Sequence, residues 1–232
     1  MVLGLEVGGR LGIAPEEVAG SHVAEPRRLG PANDWLSLRL GTTFGCGLRR
    51  GPPAVLECWG GGPARAATAE VAPTPVGEGF TALAAGDAHA CAIRDGTLLC
   101  WGANDQGQCG SVPGDEPLLE PTRVTERDDW EAVGAGGAHT CAIRAGGEMW
   151  CWGANGEGQL GRGPGLEGDE PATHEPTPVR GDVPFRAVAG GRGHTCALST
   201  EGAVYCWGDD AVRQSSGGVR EIRLVPEITR LE

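Results

Sequence analysis

The residues of this chain with the most chemistry in them are its nine cysteines, and eight of them recur in twos: Cys46 and Cys58, Cys91 and Cys100, Cys141 and Cys151, Cys196 and Cys206. A histidine stands two residues before three of the first members, as His89, His139 and His194; the remaining copy has Phe44 there. Thiols and imidazoles so spaced could ligate zinc, activate a thiolate, or cross-link the chain. Zinc would use His139, Cys141 and Cys151, which share one face of an alternating strand pair. However, the spacing is not that of a zinc knuckle, and Phe44 breaks the set. Catalysis would need one site, whereas His-x-Cys comes in three copies, and a motif in several copies usually belongs to a scaffold. No Ser-His-Asp or Cys-His constellation stands out.

Cross-linking depends on register, and register can be read from the stretch His139–Gly161. Thr140–Arg144 alternates and carries β-tolerant residues, Ala145-Gly146-Gly147 is a turn signal, and Glu148–Trp152 alternates again. This predicts an antiparallel hairpin, followed by a Gly- and Asn-rich loop in which φ > 0 is cheap. Opposed residues in such a pair share a constant index sum. Cys91 and Cys100 centre between Asp95 and Gly96, the preferred two-residue turn. Cys141 and Cys151 centre on Gly146, Cys196 and Cys206 on Glu201, and Cys46 and Cys58 on Pro52. Every pair therefore faces across its ladder, within disulfide reach. Eight reduced thiols could serve as small buried apolar residues, but that reading does not explain pairing in all four copies. Four structural disulfides and an oxidising compartment are the expectation.

The other chemical motifs carry less. Cys109 has no partner and stands where Leu160 stands in Gly158-Gln-Leu-Gly161, so it reads as a buried apolar substitute. Gly156-Glu-Gly158-Gln-Leu-Gly161 formally matches a dinucleotide fingerprint but lacks the helix that such a site requires. The acidic pairs Glu16-Glu17, Asp115-Glu116, Asp128-Asp129, Asp169-Glu170 and Asp209-Asp210 fall mostly in connections and read as solvated loops. His89, His139 and His194 are expected to hydrogen-bond buried backbone between repeats.

The elements that position these residues form a repeat. An aromatic residue leads each copy (Trp35, Phe80, Trp130, Phe185), an apolar residue follows three later (Leu38, Leu83, Val133, Val188), and glycine six later (Gly41, Gly86, Gly136, Gly191). A Pro-x-x-apolar strand precedes each lead: Pro26–Leu29, Pro73–Val76, Pro121–Val124, Pro176–Val179. The units are expected at 1–34 (a half-blade, since Leu3–Gly12 aligns on Trp152–Gly161), 35–79, 80–129, 130–184 and 185–232. Each offers about four short strands; the fourth copy is degenerate after Gly208. Neither face of the hairpin is polar enough for the outside of a sandwich, which fits a propeller blade covered on both sides. Helical periodicity is lacking, and no apolar run is long enough to cross a bilayer. A net charge of −12 disfavours binding to nucleic acid or an anionic membrane. The N-terminus shows no basic segment leading into an apolar core, so no signal peptide is read there.

Lead aromatic, Ala/Gly-Gly, His-Thr-x-Ala-Ile/Leu, Trp-Gly-x-Asn-x-x-Gly-Gln-Leu-Gly and Pro-x-x-Val together resemble the regulator of chromosome condensation repeat. The resemblance is best over 130–161 and 80–110, weaker over 35–60 and weak after Gly208. It implies an all-β propeller, typically of seven four-stranded blades. It also implies action through protein contacts: nucleotide exchange on a small GTPase, chromatin binding or, in a bacterial relative, inhibition of a β-lactamase. This chain departs from that pattern in having about four and a half repeats and paired cysteines.

The reading is a non-enzymatic propeller scaffold, without cofactor or metal, that binds a protein partner of unknown identity through rim loops, in an extracellular or periplasmic setting. The insertions Ser111–Pro121 and Arg162–Pro176 mark the candidate rim. A GTPase regulator would need a cytoplasmic location and reduced cysteines; a propeller enzyme would need a cluster of carboxylates or histidines in the central channel. About four blades with a leading half-blade are expected to leave an open arc, ahead of self-closure through residues 1–34 or self-association of two chains through open blade faces.

Overall fold

The computed structural model describes residues 28–61, 73–163 and 172–209, and, as backbone strands, 4–5, 22–23 and 223–228. All regular structure among them is β, in four antiparallel four-stranded sheets and one two-stranded ribbon. Blade 1 holds β3 (Trp35–Leu40), β4 (Phe44–Arg49), β5 (Val55–Gly60) and β6 (Thr74–Glu78). Blade 2 holds β7 (Phe80–Ala85), β8 (His89–Arg94), β9 (Thr97–Asn104) and β10 (Gly114–Arg123). Blade 3 holds β11 (Trp130–Ala135), β12 (His139–Arg144), β13 (Met149–Ala154) and β14 (Ala172–Pro178), and blade 4 holds β15 (Phe185–Gly190), β16 (His194–Ser199), β17 (Val204–Gly208) and β18 (Arg223–Ile228). In each sheet the strands lie in chain order, as short hairpins demand.

Local chemistry accounts for the turns. Asp95 and Gly96 both have positive φ, 50° and 75°, the geometry a two-residue hairpin needs to match strand twist. The glycine six residues after each lead aromatic is there for a different reason. A Cβ on Gly86 or Gly136 would fall on the ring of His89 or His139, and one on Gly41 would fall on Phe44. The glycine after the tryptophan is needed on both counts. Gly102 and Gly153 have φ of 103° and 98°, and a Cβ there would lie 2.6 Å from the carbonyl oxygens of Ala88 and Ala138.

The core lies between blades. Each blade has a trailing face, carrying the His/Cys positions, and a leading face, carrying the Thr/Ala/Trp positions. Cys46, Leu48, Leu56 and Cys58 of blade 1 pack on Phe80, Leu83, Ala92 and Trp101 of blade 2. Cys91, Ile93, Leu98 and Cys100 pack on Trp130, Ala142 and Trp152 of blade 3. Cys141, Ile143, Met149 and Cys151 pack on Phe185, Ala197 and Trp207 of blade 4. The first strand of each blade sits on the first two strands of the blade before it, down to β15 on β11 and β12. Among the described residues, blade 4 has no packing of that extent on blade 1. The four blades thus form a partial ring.

Four expectations need correction or qualification. Ser111–Pro121 is not a free insertion loop: most of it is β10, which pairs with β9 through two register shifts. Blade 4 is complete, because β18 pairs with β17 at Tyr205↔Ile228 and Cys206↔Glu227, so no strand from the N-terminus is needed there. Of the leading half-blade, β1 (Gly4–Leu5) pairs with β2 (His22–Val23), and the rest of 1–27 lies outside the described residues. Leu29, expected in a strand, is not in one.

Candidate functional site

The cysteines of each pair lie directly opposite on the second and third strands of their blade: Cys46↔Cys58, Cys91↔Cys100, Cys141↔Cys151 and Cys196↔Cys206. All four pairs are disulfides, with Cα atoms 4.1 Å apart in each. This removes Cys141 and Cys151 as zinc ligands, and no cluster of metal-ligating side chains occurs among the described residues. Cys109 is free and buried; burial pushes its thiol up to about 12, so it is not a nucleophile at neutral pH.

His89 and His139 reach across the blade interface, though not directly to backbone. His89 Nε2 lies 2.9 Å from Thr140 Oγ1 of the next blade, and that hydroxyl donates to the carbonyl of Gln108 at 2.8 Å. His139 Nε2 lies 2.9 Å from Thr195 Oγ1, which donates to the carbonyl of Gln159 at 2.9 Å. A hydroxyl has one proton; spent on the carbonyl, it leaves the threonine oxygen to accept from an Nε2–H. Both histidines are therefore neutral Nε2–H tautomers. Nδ1 of each is buried without a partner, so a second proton would find no acceptor. Burial accordingly pushes His89 down to about 4 and His139 to about 3.

Each of the two carbonyls is gripped twice. Trp152 Nε1 donates to Gln108 at 3.0 Å and Trp207 Nε1 to Gln159 at 2.9 Å. The Gly-rich loop that imitates a nucleotide fingerprint exists to present these carbonyls. It is a chain of tight turns (Gly158 N to Asn155 O, Gly161 N to Gly158 O), with Gln159 Oε1 accepting from the Glu157 amide at 2.9 Å. Thr140 and Thr195 are the partners the sequence reading missed. Their signal was present: threonine follows histidine in repeats 3 and 4, whose preceding repeats carry His89 and His139. Repeat 2, which follows Phe44, has Ala90 instead.

A second set of polar contacts lies at the hairpin end of the blades. Asp34 and Glu57 hold Arg49 at 2.8 Å each, and Asp129 and Glu148 hold Arg144. The guanidiniums lower the Asp34 and Asp129 carboxyls. Arg127 and Arg144 both lie over the Trp150 ring, and Arg49 lies over Trp35. Asp before a lead tryptophan, with Arg ending the next strand, marks repeats 1 and 3 only. Asp129 is thus an ion-pair member, not a solvated loop residue. At the opposite end the inner turns are linked blade to blade by backbone bonds: Thr42 N to Asp87 O, Asp87 N to Gly137 O, and Gly137 N to Gly191 O. Glu16, Glu17, Asp169, Glu170 and Asp210 lie outside the described residues, as do 164–171 of the second insertion.

Comparison with known proteins agrees with this geometry. The profile described as "Regulator of chromosome condensation (RCC1) repeat" matches residues 95–143 and 146–198, and a second profile of the same description matches 80–108, 130–159 and 185–214. Together they run without a gap over more than half of the chain. The RCC1 domain-containing mitochondrial protein RUG3 of Arabidopsis thaliana is 32% identical over 177 residues, which are 71% of this chain and 39% of RUG3. The ultraviolet-B receptor UVR8 of the same plant is 31% identical over 152 residues, 62% of this chain and 33% of the receptor. The chain therefore spans well under half the length of these relatives. Among solved structures, human WBSCR16 superimposes with a TM-score of 0.79 at 21% identity, over 98% of this chain and 66% of that one. Prp20p of Saccharomyces cerevisiae does so with 0.75 at 22%, over 90% of this chain and 52% of that one. Repeat sequence, blade architecture and these likenesses agree: the chain belongs to the regulator of chromosome condensation repeat family.

Proposed function

We propose that the protein is a non-catalytic propeller scaffold that binds a partner protein through the loops at the end of the blades where the third strand turns into the fourth. The observation that carries this reading is the fate of its chemical groups. His89 and His139 are buried and engaged with the next blade, eight cysteines are paired, and Cys109 is buried. The histidines so used hold blades together and the disulfides hold strands within a blade, and recognition falls to loops presented by the rigid array. The solved neighbours support a protein partner: Prp20p was described with its binding to Gsp1p and histones, and yeast RCC1 has been solved bound to Kap60. The disulfides point to an oxidising environment, and the setting proposed is extracellular or periplasmic. They weigh against regulation of a cytoplasmic GTPase.

A photo-crosslinking residue at Asp105 or Val112, both exposed at the loop end, tests this in the extracellular or periplasmic fraction of the host. A discrete protein adduct competed away by excess unlabelled chain is expected there. The same probe at Glu126 or Arg127, at the hairpin end, should give none. Adducts from the hairpin end alone would contradict the proposed face.

A further inference from the structure

Each of the three internal blade interfaces closes over a disulfide. Cys46, Cys58, Cys91, Cys100, Cys141 and Cys151 are each 2% exposed or less. The residues packed on them come from the next blade: Leu83, Ala90 and Trp101 for the bridge of blade 1, Trp130, Ala142 and Trp152 for that of blade 2, and Phe185, Ala197 and Trp207 for that of blade 3. At two of these interfaces the polar network rests on sulfur. Thr140 Oγ1, which links His89 to the Gln108 carbonyl, lies 3.8 Å from Cys91 Sγ. Thr195 Oγ1, which links His139 to the Gln159 carbonyl, lies 3.9 Å from Cys141 Sγ. Each bridge, by contrast, is local to one hairpin. It joins cysteines 12, 9 or 10 residues apart that the hairpin register sets face to face, so its formation needs no second blade.

We propose that the blade interfaces gate thiol–disulfide exchange, so that each internal bridge is made or broken only while the interface over it is open. Exchange needs a thiolate to reach a bridge sulfur. A thiol reductant attacks one Sγ, forms a mixed disulfide with it and releases the other cysteine as a thiolate. A second reductant thiol then displaces the first, leaving two protein thiols and one external disulfide. Oxidation by a small disulfide runs the same steps backward. Against a closed interface neither reaction has room for the external sulfur. The chain is therefore a substrate for thiol oxidation before its blades close, and a closed chain loses its bridges no faster than its interfaces open. The bridges record the setting in which the chain folds. Opening is set interface by interface, by His89 and Thr140 over Cys91–Cys100 and by His139 and Thr195 over Cys141–Cys151.

Timed reduction of the oxidised full chain by excess dithiothreitol tests this, with released thiols alkylated and mapped by mass spectrometry. In wild type the three internal bridges should be reduced at least about a hundredfold more slowly than in the same chain unfolded in urea. Thr140→Ala should speed reduction of Cys91–Cys100 about tenfold relative to Cys141–Cys151, and Thr195→Ala should do the reverse by about the same factor. In each variant the bridge that stays protected shows that the chain is folded. Wild-type bridges reduced as fast as in urea would overturn the proposal. So would a pair of variants that speed all three bridges equally, which is global unfolding, or that speed none.

Discussion

The interface between blades 2 and 3 and the interface between blades 1 and 2 do the same job with different chemistry. The first joins His89, Thr140, Trp152 and the Gln108 carbonyl in one buried network. The second has Phe44 for the histidine and Ala90 for the threonine, both buried, and Trp101 Nε1, in the place of Trp152 Nε1, has no partner among the described residues. Histidine and threonine are thus exchanged for Phe and Ala together, across a sequence distance of some fifty residues. Keeping only the histidine would leave a buried N–H without an acceptor, costing about 1–3 kcal/mol, whereas losing both can be nearly neutral. The difference teaches that these residues are a unit of blade pairing and not a reactive centre.

The largest expected effect is common to both interfaces. Trp152→Ala and Trp101→Ala should each cost about 3–5 kcal/mol in chemical denaturation, because both side chains are fully buried between blades. The comparison sharpens with phenylalanine. Trp152→Phe loses the bond to Gln108 and should cost about 1 kcal/mol more than Trp101→Phe, which loses none. Equal costs would break the distinction.

Acid should act on the polar interfaces alone. His89 and His139 titrate near 6.5 when unfolded and at about 4 and about 3 when folded. Between those limits the unfolded chain holds more protons, so stability is full above pH 6.5 and falls as pH drops toward 4. The loss is on the order of 3 kcal/mol for His89. The ion-paired Asp34 and Asp129, lowered by their arginines, add their loss only below the ordinary carboxylate range. A chain carrying His89→Phe with Thr140→Ala should lose about half of the slope between pH 6.5 and 4; an unchanged slope would mean that His89 is not its source.

The disulfides should not distinguish the two interfaces. Replacing Cys46 and Cys58 by alanine, or Cys91 and Cys100, should cost about 2–3 kcal/mol in either blade, since the loops closed span 12 and 9 residues. A much larger cost in one blade would show that the difference extends beyond the polar network. The smallest effect is the coupling itself. Thr140→Ala alone should cost about 1–3 kcal/mol by stranding His89 Nε2–H, and adding His89→Phe should recover about 1 kcal/mol of it. Strict additivity would mean that the two do not interact.

Most of the blade was legible in the sequence because its signals are local. The turn at Asp95-Gly96 sets the register of β8 and β9, and that register places Cys91 opposite Cys100. The glycines and lead aromatics recur at fixed spacing for the same reason. What joins blades was harder to read. Thr140 meets His89 from 51 residues away, and nothing local to either names the other; only comparison with Phe44 and Ala90 reveals the pairing. The segment Ser111–Pro121 was misread because its prolines and acidic residues imitate a loop. Its pairing with β9 takes two register shifts that alternation does not encode. The role of β18 was missed because its partner β17 lies beyond a stretch without repeat signals.

His89 and His139 are buried structural links and not reactive groups, and nitrogen-15 NMR of the imidazoles of the oxidised chain between pH 8 and 4 can check this. His89 and His139 should remain neutral Nε2–H tautomers through pH 6.5 and down to about 4. Protonation of either with a midpoint near 6.5, or a mixture of tautomers at neutral pH, would contradict it.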